Sequence, residues 1–411
     1  ERQITNVAAG TEGTDAVNLS QLEEATASNR YFQATGNDDD PSDDVGAYAE
    51  GAYATASGEA ANAYGTGASA YGSGAMADGQ YATASGFNAT ATADSATAVG
   101  GSLYVEDEDG NVLLDQTTTA SEVGASAFGA GAQATGAFST ATGAGSTAEG
   151  LQATAIGYSS TASGLAATSL GGFAEATGDF ATALGYGAEA SNTRTTAVGI
   201  SSTASGLNAT AVGNASTASG NYAVALGSSS NATGLNATAL GSSSWATAAN
   251  ATAVGQLAWA TVAGGTAIGR DAYVYGAGTN GTALGMSAYV TGANSVALGA
   301  GTRASEANVV SVGGGTGAYP ATRRIVNVSD GVAVSDAATV GQLQAATEDT
   351  RYFAASGGAD SDNAAFVDGE YATASGESAT ATGEGASAYG SGSFALADAS
   401  TALGFNAVAD Q

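Results

Sequence analysis

A glycine preceded by Thr-Ala-aliphatic, with few exceptions, recurs at Gly157, Gly171, Gly185, Gly199, Gly213, Gly227, Gly241, Gly255 and Gly269, always fourteen residues apart. After a two-residue insertion the step resumes at Gly285, Gly299 and Gly313. A weaker series at Gly150, Gly164, Gly178, Gly206, Gly220 and Gly234 falls halfway between, so the unit is seven residues, paired into coils of fourteen. Upstream, Gly58, Gly72, Gly86 and Gly100, then Gly129 and Gly143, keep the same step. A fixed short period of this kind means that one structural unit is stacked repeatedly, each copy touching only its neighbours.

A seven-residue period also suggests a coiled coil, but the residue types oppose it. Each Gly in a helix interior costs about 1 kcal/mol relative to Ala, and the β-branched Thr and Val add to the bias. Within a unit the side chains alternate, as in Ala153-Thr154-Ala155-Ile156-Gly157. Alternation ended by Gly reads as a short strand and a turn. Two such strands per fourteen residues describe a parallel β-roll, an all-β solenoid in which each coil hydrogen-bonds to the next. Counting strand glycines gives about 18 coils in the long repeat, roughly 85 Å at ~4.8 Å per coil.

The alternation also suggests faces. Ile156, Leu170, Leu184, Val198, Val212, Leu226, Leu240, Val254, Ile268, Leu284 and Leu298 stand one residue before the glycine, and mostly Thr stands three before it. We expect these rows to line the interior. The intervening row, for example Ala155, Ala183, Ala211 and Ala239, is then an outer face small enough for close approach of another surface. Each coil offers only one or two sizeable apolar side chains, little against roughly 1–2 kcal/mol of backbone entropy per residue. Several rolls packed side by side through the Ala rows would supply the missing burial.

Composition limits the chemistry. The 411 residues contain no Cys, no His and no Lys, so all 8 cations are Arg, against 38 carboxylates and a formal charge of -30. Ser-His and Cys-His nucleophilic pairs, Schiff bases, disulfides and zinc sites of the usual ligands are excluded. Nucleic acid and anionic membranes both require clustered cations, and none are present. No run of about 18 apolar residues could span a bilayer. We therefore expect neither an enzyme nor a cofactor.

Two segments outside the repeat match each other at an offset of 321. Ile4-Thr5-Asn6-Val7 corresponds to Ile325-Val326-Asn327-Val328, and Thr14-Asp15-Ala16 to Ser335-Asp336-Ala337. Gln21-Leu22 corresponds to Gln342-Leu343, and each segment reaches Arg30-Tyr31-Phe32 or Arg351-Tyr352-Phe353. Thr14 and Ser335 look like N-caps of helices of roughly fifteen residues, with an acid just inside. Leu19 with Leu22, and Val340 with Leu343, have the spacing of a short interhelical seam.

The stretch RQITNVAAGTEGTDAVNLSQL at 2–22 resembles the neck of trimeric autotransporter adhesins of the YadA type, and the fourteen-residue unit is similar to their head repeat. RYFQATG at 30–36 and RYFAASG at 351–357 resemble the segments that begin such heads. The resemblance implies a left-handed parallel β-roll homotrimer and necks that lead into coiled coil. It also implies a cell-surface location, a C-terminal outer-membrane anchor absent from this chain, and adhesion to host matrix, cells or surfaces. Ile4, Asn6, Val7, Leu19, Leu22, Ile325, Asn327, Val328, Val340 and Leu343 become neck and trimer residues.

The expected order is a neck at 1–30, a head at 31–318 with a hairpin inserted at about 101–124, a second neck at 319–350, and the start of another head at 351–411. Residues 53–58 (YATASG) and 67–74 (GASAYGSG) recur at 371–376 and 385–392. A neck at the first residues leads us to expect a head before it, within a longer fibre. This chain departs from the family pattern in lacking a long stalk, and in carrying Ser57, Tyr71 and Ser85 where later coils have aliphatics.

Trp245, Trp259, Tyr273 and Tyr289 all occupy the fourth position after a strand glycine and should stack as one ladder. Exposed, they would be an adhesive stripe, our candidate ligand contact; otherwise they stack on one another or fill a groove between protomers. Residues 102–115 (SLYVEDEDGNVLLD) read as a hairpin whose tip, Glu106 to Asp109, is a solvated acidic turn rather than an EF-hand-like calcium loop. Asp38, Asp39, Asp40, Asp43, Asp44, Asp360 and Asp362 read as solvated charge runs before each head, not as metal ligands. Arg2, Arg30, Arg323, Arg324 and Arg351 could pair with carboxylates of neighbouring chains. Alternatives to adhesion are a spacer in a surface filament, a phage-type fibre, and an ice-binding Thr array. The Thr154–Thr210 row is regular but takes Val224 and Val296, and the row through Thr161, Thr203 and Thr217 is broken by Glu175, Glu189, Trp245 and Trp259.

Overall fold

The computed structural model describes residues 4–27, 45–315, 317–348 and 363–411. The chain divides into two compact units, Glu1–Arg323 and Arg324–Gln411, each described by itself. The segments at 30–36 and 351–357, with Arg2, Arg30, Arg351 and the acidic runs at Asp38–Asp44, Asp360 and Asp362, lie outside the described residues.

The first unit is a parallel solenoid. A three-residue strand such as Thr154–Ile156 and a two-residue strand such as Thr161–Ala162 form one coil. Each pairs in register with its counterpart fourteen residues on, Thr154 with Thr168 and Thr161 with Glu175. The short strands form one sheet of eighteen and the long strands a second series of eighteen. Ser57, Tyr71, Ser85 and Val99 stand in register, so the early coils share the phase of the later ones. The ladder also passes the inserted residues without slipping: Thr90 pairs with Thr119 and Thr97 with Ser126.

Stacking at this spacing explains the glycines. A Cβ on Gly157 would come within 2.6 Å of the backbone of Gly171, and one on Gly164 within 2.0 Å of the Gly178 carbonyl oxygen. Gly157 also has φ +133°, outside the range of an L side chain. The second corner takes residues in the left-handed region, which Asn tolerates well, so Asn236, Asn250, Asn280, Asn294 and Asn308 recur there. Asn236 Nδ2 donates to Asn250 Oδ1 at 3.1 Å, and Asn294 Nδ2 to Asn308 Oδ1 at 3.3 Å, adding side-chain bonds from coil to coil.

The faces are the reverse of those expected. Ala155, Ala183, Ala211 and Ala239 are fully buried and, with the other Ala of both strands, form the core of the roll. Ile156 is 38%, Leu170 41% and Leu298 44% exposed, and Thr154 shares their side of the strand. The physical reason is width: two strands joined by tight turns of four and five residues leave room inside for methyl groups and little more. The larger aliphatics are turned outward as a continuous row, an apolar surface of the kind that marks an interaction site. Packing of rolls through the Ala rows is therefore excluded, and the Thr154 row, expected inside, lies outside.

Two local features finish this unit. The strands Leu103–Glu106 and Val112–Gln116 form the antiparallel hairpin. Its base leans on the following coils, where Leu103 occupies the space that side chains at Gly131 and Gly145 would need. At the C-terminal end, Arg323 donates to Thr302 Oγ1 at 2.7 Å, to the Val312 carbonyl at 2.6 Å and to the Ala300 carbonyl. Tyr319 covers Gly301, and its hydroxyl lies 3.2 Å from Ser287 Oγ. Arg323 is thus spent on plugging its own last coil rather than on a neighbouring chain's carboxylate.

Helix α1, Leu19–Ala27, begins later than expected. Asn18, not Thr14, caps it: Asn18 Oδ1 accepts from Gln21 N at 3.0 Å and Gln21 Oε1 from Asn18 N at 3.3 Å, a reciprocal capping box. In the second unit, α2 (Val340–Glu348) is capped in the same way by Thr339 and Gln342. The strands that follow, from Phe366–Val367 to Val408–Ala409, rebuild the same coil around buried Ala379, Ala381, Ala386, Ala388 and Ala395. No helix among the described residues is long and apolar enough to cross a membrane.

Candidate adhesive surface

The outward position of the short strand forms a row along the roll: Thr161, Glu175, Glu189, Thr203, Thr217, Asn231, Trp245, Trp259, Tyr273, Tyr289, Arg303. In-register parallel pairing makes equivalent side chains direct neighbours. The four aromatics of the expected ladder are therefore brought together. The rings of Trp245 and Trp259 are stacked, 4.9 Å apart and 10° from parallel. Trp259 and Tyr273 meet at 5.5 Å and 68°, and Tyr273 and Tyr289 at 6.4 Å and 57°.

Two residues join the ladder that the sequence did not single out. Tyr275 meets Tyr289 edge to face at 5.1 Å, and the Arg303 guanidinium sits 4.9 Å over the Tyr289 ring. Arg303 could have been found by extending the fourteen-residue step once more. Tyr275 opens the turn that holds the two-residue insertion and follows no repeat.

The core changes beneath these rings. Val274 and Val290 replace Ala and are the largest fully buried side chains. Their extra methyls fill space left by Gly265 and Gly281, where a Cβ would meet Val274 Cγ1 at 3.2 Å and Val290 Cγ1 at 2.7 Å. Above them Trp245 and Tyr275 are exposed and Trp259, Tyr273 and Tyr289, stacked in the ladder, are half-buried; this surface forms two grooves that share Trp259. One, of about 340 Å³, is lined by Trp259, Thr261, Tyr273, Tyr275 and Tyr289. The other, of about 290 Å³, has Thr217, Ser229, Asn231 and Ser243 in its walls beside Trp245 and Leu257, while the hydroxyl of buried Ser230 donates to the Gly227 carbonyl at 2.8 Å. Asn231 Oδ1 and Trp259 Nε1 are buried without a hydrogen-bond partner.

The neck residues form a second surface. Asn6 and Asn327 adopt φ of +62° and +60° and turn the chain. Gln21 locks that turn to α1: Gly10 N donates to its Oε1 and its Nε2 donates to the Gly10 carbonyl, both at 2.8 Å. Gln342 does the same with Gly331. Asp15 accepts from the backbone of Thr11 and Glu12, and Asp336 from Ala333 and Val332, which lowers both carboxyl pKa values. Ile4, Val7, Leu19, Leu22, Ile325, Val328, Val340 and Leu343 are left exposed, Ile4 by 89%. A groove of about 340 Å³ between Ile4, Val7, Val17 and Leu19 is open on α1's side. At the hairpin tip, Asp107 Oδ1 accepts from Asn111 N and Asp109 N, so this carboxylate closes the turn. Among the described residues no cluster of acids is placed to hold a metal.

Fourteen-residue coils stacked in parallel, with short capped helices outside them and a continuous aliphatic row left outward, define a repeat protein of the parallel β-solenoid class. The family described as the YadA head domain repeat matches twelve stretches, from residues 77–102 to 291–316 and at 368–393, which together cover more than half of the chain. The coiled stalk of trimeric autotransporter adhesins matches residues 3–44 and 324–364. The chain belongs to the YadA-like trimeric autotransporter adhesins, families of adhesins and not of enzymes. The crystal structure of the collagen-binding domain of the Yersinia adhesin YadA is similar at 22% identity, over 61% of this chain and 98% of that one, with a TM-score of 0.29. None of the curated proteins compared with the chain matches it.

Proposed function

We propose that the protein is a cell-surface adhesin that works as a homotrimer, its aliphatic rows turned together at the centre and its aromatic ladder outward. The observation that carries this reading is the division of faces: each roll seals its own core with Ala, yet leaves Ile156 through Leu298 uncovered. Three such rows would cover one another, and the exposed neck residues, Ile4 to Leu22 and Ile325 to Leu343, would each be covered by their counterparts in the other two chains. The chain then runs as neck, long head, neck and the beginning of a second head, in a fibre anchored in the outer membrane by a region outside it. Three copies of each contact on one trimer multiply a weak affinity through effective concentration.

Light scattering of the purified chain should give three times the mass of one chain, and a stable monomer would remove the architecture. Adhesion should be measured on immobilised matrix proteins, including collagen, and on cell layers, for the protein and for Trp245→Ala with Trp259→Ala. Loss of adhesion supports the stripe as the contact. Unchanged adhesion to every surface bound by the parent rejects the stripe, and absence of any binding by the parent favours a spacer.

A further inference from the structure

Resting on the reading of the aromatic ladder as the contact surface, we infer that the double groove around Trp259 takes an uncharged, extended oligosaccharide. Four departures from the repeat coincide here and nowhere else in the long head: buried Val274 and Val290, compensating Gly265 and Gly281, the two-residue insertion, and the aromatic run. The insertion brings Tyr275 against Tyr289 and widens the stripe into a trough. The larger buried side chains stiffen the floor beneath it.

The two halves of the trough differ in chemistry. The half at Tyr273, Tyr275 and Tyr289 is almost wholly aromatic, and the half beside Trp245 and Leu257 adds the polar side chains of Thr217, Ser229, Asn231 and Ser243. A pyranose ring has the same duality, an apolar face of C–H groups and a rim of hydroxyls that both donate and accept. From Thr217 to Tyr289 the row makes five coil steps, roughly 24 Å at ~4.8 Å each, room for several rings of a straight chain. Ligand charge is selected as well. Glu175 and Glu189 stand in the same row, the chain carries -30, and Arg303, the row's cation, is already engaged over Tyr289. An anionic polysaccharide is repelled by this field.

A proline-rich segment also lies on aromatic grooves. It offers carbonyl acceptors, which meet the unpaired Trp259 Nε1, but no backbone donors, whereas the buried and unpaired Asn231 Oδ1 calls for a donor as well. A sugar hydroxyl supplies one after a small rotation of the Asn231 side chain.

The chain's only two tryptophans, Trp245 and Trp259, are both in the trough, so their emission reports on it directly. The whole chain should be titrated with unbranched hexamers of β-1,4-linked glucose and of β-1,4-linked N-acetylglucosamine, with decaproline and with heparin. We expect a saturable emission change with at least one hexamer and none with heparin. Midpoints should rise about tenfold, the equivalent of ~1.4 kcal/mol, in Tyr275→Ala and in Asn231→Ala at unchanged melting temperature. The same hexamer should compete with adhesion. No response to either hexamer overturns the inference, and a response to decaproline instead assigns the trough to peptide. If adhesion falls in Trp245→Ala with Trp259→Ala while both hexamers are silent, the sugar class fails and the contact surface stands. If adhesion is unchanged in that variant, the contact surface itself fails.

Discussion

At the scale of the residue, the roll is governed by what fits between two closely opposed strands. Ala fits; Val274 and Val290 fit only because Gly265 and Gly281 give up a methyl beside them. Gly265→Ala places a Cβ 3.2 Å from Val274 Cγ1 and should destabilise the protein by about 1–3 kcal/mol through overpacking. Combining it with Val274→Ala removes one of the three close contacts, those with the Val262 carbonyl oxygen at 3.0 Å and Cγ2 at 3.2 Å remaining, so the double variant should recover part of that loss in urea melts at fixed protein concentration. A strictly additive result would refute the compensation. The same constraint explains why the faces were misread. Both alternating positions of a coil are apolar, and size favours the aliphatic as the buried one. Only the coil's width decides otherwise, and width is set by turn geometry rather than by side-chain pattern. The aromatic ladder was legible, because in-register pairing follows from the fourteen-residue step alone.

At the scale of the element, the necks are held by side chains closing onto backbone. The match between 4–22 and 325–343 was plain in the sequence, but the role of Gln21 and Gln342 was not. Ser or Thr before Asp suits both a helix cap and an acid-closed turn. The clue that separates them is Gln three residues after Asn18 and Thr339, the capping-box spacing. Gln342→Ala removes the cap partner and both bonds to Gly331, and should reduce helical circular dichroism from α2 by a measurable fraction. The turns closed by Asp15 and Asp336 also respond to acid. Both carboxyl pKa values are lowered from 3.8 by backbone N–H donors, so their contribution is complete above the ordinary carboxylate range. It is lost as the pH falls below 3.8 through the depressed values. Protection of the Thr11, Glu12, Val332 and Ala333 amides, relative to their intrinsic exchange rate at each pH, should therefore persist at pH 5 and be lost only in stronger acid. Loss of protection already at pH 5 would exclude this assignment.

At the scale of the whole molecule, both sheets seal the core with Ala and the sheet of long strands leaves the aliphatic row open on its outer side. A charge in that row should be tolerated by a single roll and not by a trimer. Leu226→Asp with Leu240→Asp should lower the mass measured by light scattering to that of one chain while leaving the β-sheet circular dichroism largely intact. A trimer that survives both changes would place the row elsewhere. The family was legible from necks and repeat together, since no other combination of residues in the chain is as specific. The direction in which the rolls face one another was not, because it inherits the inverted assignment of the coil.

The plug formed by Arg323 and Tyr319 has a mechanical consequence. Coils held only to their neighbours come off a solenoid in sequence from a free end, and this end is latched. Under tension applied through this end, its coils are released only after the latch fails. Each coil then frees fourteen residues, roughly 50 Å of slack. A surface fibre built this way yields in steps instead of snapping, as a shock absorber does. In single-molecule pulling on the chain tethered through its C-terminal end, Arg323→Ala should lower the force of the first rupture and leave the spacing of later ones unchanged.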